Sequence, residues 1–247
     1  MTQTREKLST SELQELNKKF ESTTPEAVLR WVDETFGSRA VQVSSFGLED
    51  VALYDMYWKV NDSARVMTLD TLRLPTETYT LLDQVQIRYG IEIETIHPDL
   101  EAVRSMIKEK GFNFFYKGIE NRKFCCNVRK VEPLNNALAG VDAWITGLRR
   151  DQGMERGEID IVEWDDAHEN YKVNPLANWT FDQVQAYVKT NNVPYNELHD
   201  RGYPSIGCAP CTRAIKPGED LRAGRWWWES DPDAKECGLH IVEEAAR

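Results

Sequence analysis

Four of the five cysteines stand in two close pairs: Cys125 and Cys126 are adjacent in Lys-Phe-Cys-Cys-Asn-Val-Arg-Lys, and Cys208 and Cys211 share Gly-Cys-Ala-Pro-Cys-Thr-Arg. Thiolates are preferred ligands of zinc and of iron–sulfur clusters, and four of them complete one sulfur shell. A structural Cys₄ zinc site is the plain use of such a set. Adjacent cysteines strain that arrangement, because both must reach one ion, whereas a polynuclear cluster offers separate iron corners; unligated buried thiols are the third alternative. Cys237, in Lys-Glu-Cys-Gly-Leu-His, has no such partner. A lone cysteine is most often an inert buried thiol. This one lies on a polar, glycine-flanked tail, and arginines beside it would favour a nucleophilic thiolate.

The formal net charge is −11, which argues against a general nucleic-acid binder, since phosphate must be neutralised by Lys and Arg. Any anion must meet a local basic patch. Arg and Lys concentrate in Arg122 to Lys130, Arg149 to Arg156 and Arg213 to Arg225. The plain alternative for each is a solvated face, and for Arg149 and Arg150 it is salt bridging to acidic surface.

The elements that must carry these residues are legible from spacing. Ser11 with Gln14 predicts one helix start and Thr24-Pro25 another, and Leu29, Trp31, Val32 and Phe36 form the stripe of a helix ending near Gly37. Ala40 to Val43 reads as a strand, Ser44-Ser45-Phe46-Gly47 as a turn, and Glu49 to Val60 as a helix, an arrangement that offers backbone N–H groups to an anion. A second strand, Arg65 to Leu69, ends in Asp70-Thr71-Leu72-Arg73. Pro75 opens and Gly90 closes a helix, Ile91 to Ile96 is a third strand, Leu100 to Lys110 is helical, and a helix begins near Cys125. Asp142 to Gly147 is a fourth strand running into Leu148-Arg149-Arg150-Asp151-Gln152. Ile159 to Trp164 is an edge strand, and Thr180 with Gln183 caps a later helix. Strands alternating with helices predict an α/β fold with a mostly parallel sheet flanked by helices, ligands sitting off the carboxyl ends of the strands.

At 247 residues the chain suits one large α/β domain with appendages. The expected division is an N-terminal helical segment over 1–37 packed on the main domain, an α/β domain over 38–229 that carries the paired cysteines and would bind the ligand, and a mobile tail over 230–247 carrying Cys237. The odd cysteine count, metal-like spacing and polar N-terminus predict a soluble, cytoplasmic protein. No apolar run approaches the roughly 18 residues of a membrane span.

Taken together, Ser44-Ser45-Phe46-Gly47-Leu48-Glu49-Asp50, Leu69-Asp70-Thr71, Cys125 to Lys130, Thr146-Gly147-Leu148-Arg149-Arg150-Asp151-Gln152, Cys208 to Cys211 and Glu236-Cys237-Gly238-Leu239-His240 resemble the assimilatory adenylyl-sulfate (adenosine 5′-phosphosulfate) reductases over roughly residues 40 to 240. The resemblance implies an adenine-nucleotide α-hydrolase-like fold and a 4Fe–4S cluster on Cys125, Cys126, Cys208 and Cys211 that passes no electrons, with Lys130 linking cluster and substrate electrostatically. It implies a phosphate loop at Ser44, Ser45 and Gly47, a nucleotide pocket at Leu69, Asp70 and Thr71, and an arginine loop at Arg149, Arg150 and Arg156. Arg222 and Arg225 would lie near the phosphosulfate. Cys237 would attack the sulfate sulfur, leaving an S-sulfocysteine that thioredoxin or a glutaredoxin-like dithiol resolves. A homo-oligomer is carried as an alternative to a monomer.

One departure is Leu72, where many such relatives carry Gly. Cluster-lacking members reduce the 3′-phosphorylated nucleotide and a few cluster-bearing ones accept both, so 3′-phosphoadenylyl sulfate is the alternative substrate. From another class come a non-catalytic nucleotide-binding module with structural zinc, and an ATP-cleaving adenylating enzyme. The last is disfavoured because the turn is not the Ser-Gly-Gly-x-Asp-Ser pattern that cradles pyrophosphate.

Overall fold

A computed structural model of the chain describes residues 7–152 and 159–229, so Arg156 and Cys237 lie outside the described residues. Helix α1 (Thr10–Phe20) is capped by Ser9 rather than near Ser11: Ser9 and Glu12 form the complete reciprocal box, the Ser9 N–H donating to Glu12 at 2.8 Å. Helix α2 (Pro25–Phe36) starts behind Thr24 as expected and ends at Gly37, whose φ of 53° suits glycine. Strand β1 (Ala40–Val43) leads through Ser44 to Gly47 into α3 (Leu48–Val60). Then come β2 (Val66–Leu69), α4 (Thr76–Tyr89), which stops at left-handed Gly90, and β3 (Glu94–Ile96). Strand β3 begins later than Ile91 because the Ile91 and Ile93 N–H groups are held by the main chain and side chain of Gln86.

After α5 (Leu100–Lys110), the cysteine pair closes a helix instead of opening one. Helix α6 (Ile119–Cys126) runs through a wide π turn, Asn127–Val131, into α7 (Glu132–Leu138). Pro133 has no N–H for the Arg129 carbonyl, and the ladder widens in the turn before it. Strands β4 (Ala143–Ile145), β5 (Val162–Asp165) and β6 (Asn170–Val173) follow, then α8 (Phe181–Thr190) with its predicted Thr180–Gln183 capping box. Nothing in the sequence pattern announces β6: Asn170 and Lys172 are buried alongside Tyr171 and Val173, so apolar alternation is missing.

The contacts gather into two compact units, each built from separate stretches. The first takes the chain up to Ser44, Leu48–Val66 and Gly140–Pro194. In it β1 pairs parallel with β4 and β4 with β6, while β5 runs antiparallel to β6 at the edge, where Ile159 to Trp164 is expected. Leu29, Val32 and Phe36 of α2 pack with Leu53, Met56, Ile145, Val173 and Leu176 in its core; each such side chain contributes roughly 1.5–3 kcal/mol on full burial. The second unit takes Ser45–Gly47, Met67–Ala139 and the chain from Tyr195. Its strands β2 and β3 are parallel, with Leu69 beside Ile96, and Val103, Met106, Phe114 and Val128 form a small core against which Cys125 packs. The fold is α/β and mostly parallel, as expected. No described helix is long and apolar enough to cross a membrane.

Candidate cysteine site

Within the second unit, Cys125, Cys126, Cys208 and Cys211 line one cavity, together with Arg73, Phe115, Arg122, Arg129, Lys130 and Pro210. Helix α6 supplies Arg122, Cys125 and Cys126; Arg122 and Cys126 are four residues apart, on one face, and both are buried. The π turn supplies Arg129 and Lys130. Cys208 and Cys211 lie at either end of a single tight turn, the Cys211 N–H donating to the Cys208 carbonyl at 2.9 Å. That turn is tied down twice more: the Ala209 N–H donates to the Arg73 carbonyl at 2.8 Å, and the Tyr116 hydroxyl donates to the Pro210 carbonyl at 2.7 Å.

Cys125, Cys208 and Cys211 do not share one protonation preference. Burial pushes Cys208 up, but Lys130, the Thr71 hydroxyl 3.2 Å from its sulfur, Arg225 and Arg129 together outweigh burial, and its pKa falls below the usual thiol value. Cys211 is pushed up to about 12, by burial first and then by the charge on Cys208. Burial also raises Cys125, with Arg129 pulling the other way. The Cys208 thiolate is thus favoured, and Cys125 and Cys211 resist joining it until positive charge is supplied.

Two guanidinium groups near the cysteines each leave one N–H unanswered. Arg129 donates through Nη1 to the Thr71 carbonyl at 2.7 Å, yet its Nε and that of Arg225 are buried with no hydrogen-bond partner among the described residues. Arg225 lies so close to the Gly207 backbone that a Cβ there would overlap its guanidinium, which is why glycine precedes Cys208. Buried N–H donors are costly unless they meet an acceptor. Soft sulfur donors, a cationic rim and two unanswered guanidinium N–H groups together fit a sulfur-rich polynuclear group. Among the described residues no group of three or more His, Cys, Asp or Glu side chains is arranged to hold a metal ion; the four thiols share a cavity without converging on one point.

The Leu69-Asp70-Thr71 motif sits at the carboxyl end of β2. Asp70 accepts from the Tyr79 hydroxyl and from the Leu72 N–H, each at 2.8 Å, and His97 Nε2 lies 3.6 Å from its other oxygen. Thr71 is buried, with its hydroxyl 3.2 Å from the Cys208 sulfur, and so supports one of the thiols that line the cavity. Leu72 takes φ 59°, the left-handed conformation that glycine adopts without steric cost.

The remaining predicted residues fall elsewhere. Ser44 is buried, Ser45 exposed and Gly47 half-buried in the β1–α3 connection, where buried Phe46 takes φ 56°. In the first unit Arg149 is almost fully buried: its Nε and Nη2 donate to one Glu49 oxygen at 3.1 and 2.9 Å, and Nη1 pairs with Asp151. Arg150 donates to Glu21 at 2.8 Å and to the Ile159 carbonyl at 2.8 Å, and it holds the Glu21 carboxyl below the usual carboxylate range. The salt bridges that were the plain alternative for these two arginines are formed. Arg222 is half-buried and does not line the cavity; its backbone N–H donates to Asp220 at 2.8 Å.

The sequence names Arg122 only as the start of a basic cluster and Arg73 only at a strand end, and ties neither of them, nor the Thr71 contact with Cys208, to the cysteines. The four-residue spacing from Arg122 to Cys126 is a signal that could have found the first. The other two are brought to the cysteines by the fold alone.

Comparison with known proteins follows the same lines. A family described as the phosphoadenosine phosphosulfate reductase domain matches residues 39–214. Over 207 residues the chain is 50% identical to the adenosine 5′-phosphosulfate reductase of Allochromatium vinosum, covering 84% of this chain and 80% of that one. It is 54% identical over 199 residues to the protein of the same name from Burkholderia cepacia, covering 81% and 79%. Among solved structures, the phosphoadenylyl-sulfate reductase of Candida auris, in a phosphate complex, matches with a TM-score of 0.74 and 32% identity, over 85% of this chain and 99% of that one. The FMN adenylyltransferase of Candida glabrata, at a TM-score of 0.54 and 14% identity over 96% and 83%, shares the fold alone. With more than half of its length matched and relatives at half identity, the chain belongs to the phosphoadenosine phosphosulfate reductase family.

Proposed function

We propose that the chain reduces adenosine 5′-phosphosulfate to sulfite and AMP in assimilatory sulfate reduction, in the cytoplasm. The observation that carries this reading is the gathering of all four paired cysteines in one cation-lined cavity, in a chain whose relatives at about half identity bear that enzyme's name. Cys125, Cys126, Cys208 and Cys211 would hold a 4Fe–4S cluster, which would supply an anionic, polarisable centre and carry no electron in the reaction.

The Cys237 thiolate attacks the sulfate sulfur; the S–O bond to the AMP phosphate breaks, and AMP leaves with that electron pair. Two anions must meet in this step, so Lys130, Arg222 and Arg225 lower its barrier by holding sulfate and phosphate oxygens. Ser44, Ser45 and Gly47 bind phosphate, and Leu69 to Thr71 bind the nucleotide. Arg149 and Arg150, with Arg156, serve as the arginine loop; for the first two this means exchanging Glu49 and Glu21 for the substrate. A thioredoxin-type or glutaredoxin-like dithiol then attacks the sulfur of S-sulfocysteine, and sulfite leaves with the electron pair. The dithiol's second sulfur resolves the mixed disulfide, so the dithiol supplies both electrons.

The test is sulfite release with a reduced dithiol protein, comparing adenosine 5′-phosphosulfate with its 3′-phosphorylated form, in wild type and Cys237→Ser. The expected result is a higher kcat/KM on the non-phosphorylated nucleotide and no turnover in the variant. Preference for the 3′-phosphorylated nucleotide, or turnover without Cys237, would overturn the reading.

A further inference from the structure

Arg122 is buried in the wall of the cysteine cavity, and its fork meets the Glu229 carboxylate squarely: Nε to Oε1 and Nη2 to Oε2 are both 3.0 Å, with the side chains 1% and 3% exposed. Beside the pair lies the ring of Trp226, 1% exposed, with the Arg122 guanidinium 4.4 Å and the Arg225 guanidinium 4.8 Å from ring centroids. The backbone joins in. The Trp226 N–H donates to the Cys211 carbonyl at 3.1 Å, the Glu229 N–H donates to the Trp226 carbonyl at 2.9 Å, and Trp226 takes φ 42° to make that turn. Residues 225–229 are thus sewn to the turn that carries Cys211.

Nothing about folding requires a charge pair here, since a buried ion pair confers little more stability than apolar side chains of the same volume. What a bidentate pair imposes is one geometry. Cys237 lies eight residues beyond Glu229, so from that root it reaches at most about 30 Å at full extension. If the root let go back to the Thr212–Arg225 bridge, the tether would be half as long again. From the growth in length alone, the local concentration of the thiol would fall about twofold.

We propose that Arg122 and Glu229 are positioning residues: they fix the root of the C-terminal segment on the cavity wall, so that Cys237 is presented from one point beside the cysteines. The inference rests on the proposed function for the identity of the nucleophile, and it adds where that nucleophile is delivered from.

The experiment uses the full chain and three proteins: wild type, Glu229→Ala and the conservative Glu229→Gln. Backbone hydrogen exchange over 225–229, AMP affinity and the single-turnover rate of S-sulfocysteine formation by intact mass are measured for each. In Glu229→Ala, exchange over 225–229 should rise and adduct formation should slow at least twofold, with AMP affinity unchanged. In Glu229→Gln, which keeps an acceptor for the Arg122 fork, exchange and rate should both lie closer to wild type than to Glu229→Ala. Unchanged adduct formation in Glu229→Ala despite faster exchange would make the pair merely structural and overturn the proposal. So would a Glu229→Gln variant that restores exchange but not the rate, because the carboxylate would then act through its charge. If wild type itself forms no adduct, the proposed function fails instead, a different result from either.

Discussion

At position 72, glycine should be better tolerated than alanine. Leu72 holds φ 59°, a conformation that costs an L-residue roughly 1–2 kcal/mol. Its side chain is 41% exposed, so truncation to either small residue loses about half of a leucine's burial, roughly 1–1.5 kcal/mol. Alanine loses that contact and keeps the strain. Glycine loses the same contact and sheds the strain, against roughly 0.5–1 kcal/mol of extra freedom in the unfolded chain. The turn itself survives both changes, because Asp70 holds the residue's N–H rather than its side chain. Leu72→Gly should therefore be more stable than Leu72→Ala by about 0.5–1 kcal/mol, and close to wild type. Urea unfolding with unchanged slope measures the difference, which corresponds to a Tm gap of about 1–4 °C in a chain of this size. Ile87, 83% exposed on α4, is the control: there alanine should exceed glycine by about 1 kcal/mol. Alanine matching or exceeding glycine at position 72 as well would refute the left-handed turn and the reason given for it.

Two further outcomes follow from single contacts. A Cβ at Gly147 would come 2.5 Å from Asp50 Oδ1 and 3.0 Å from the Glu49 Cβ, so Gly147→Ala should cost roughly 1–3 kcal/mol by urea unfolding; a neutral result would mean the helix start at Leu48 can shift aside. Glu219 is held at about 2, below its ordinary value of 4.5, by Arg213 first and then by the Lys216 N–H. Because the folded value is the depressed one, this contact is fully present above pH 4.5 and lost as pH falls through about 2. Carboxyl NMR should give a Glu219 midpoint near 2 that rises in Arg213→Met; a native midpoint near 4.5 would contradict the pairing.

Much of the scaffold was legible because its signals are local. Thr24-Pro25, Gly90 and the Thr180–Gln183 pair end or begin helices where they should, since caps and left-handed stops act within a few residues. Strand β6 was hidden because Asn170 and Lys172 are buried through tertiary partners, Lys172 pairing with Glu163 at 2.8 Å. The cysteines stand out by type and spacing, but the helix expected to begin near Cys125 begins at Ile119 and runs on past the pair through the π turn into α7. The arginines were found as a cluster without their partners. That Arg149 faces Glu49, one hundred residues earlier in sequence, while Arg225 lies against Gly207 with an unanswered Nε, is decided by the fold and by no local pattern.

The most direct test of the account is the metal and sulfide content of the full chain purified without oxygen. The cavity reading predicts about four iron and four inorganic sulfide per chain, with a brown visible absorption. That absorption should be lost in Cys125→Ser, Cys126→Ser, Cys208→Ser or Cys211→Ser and kept in Cys237→Ser. A colourless protein with one zinc per chain, or a chromophore that depends on Cys237, would contradict it.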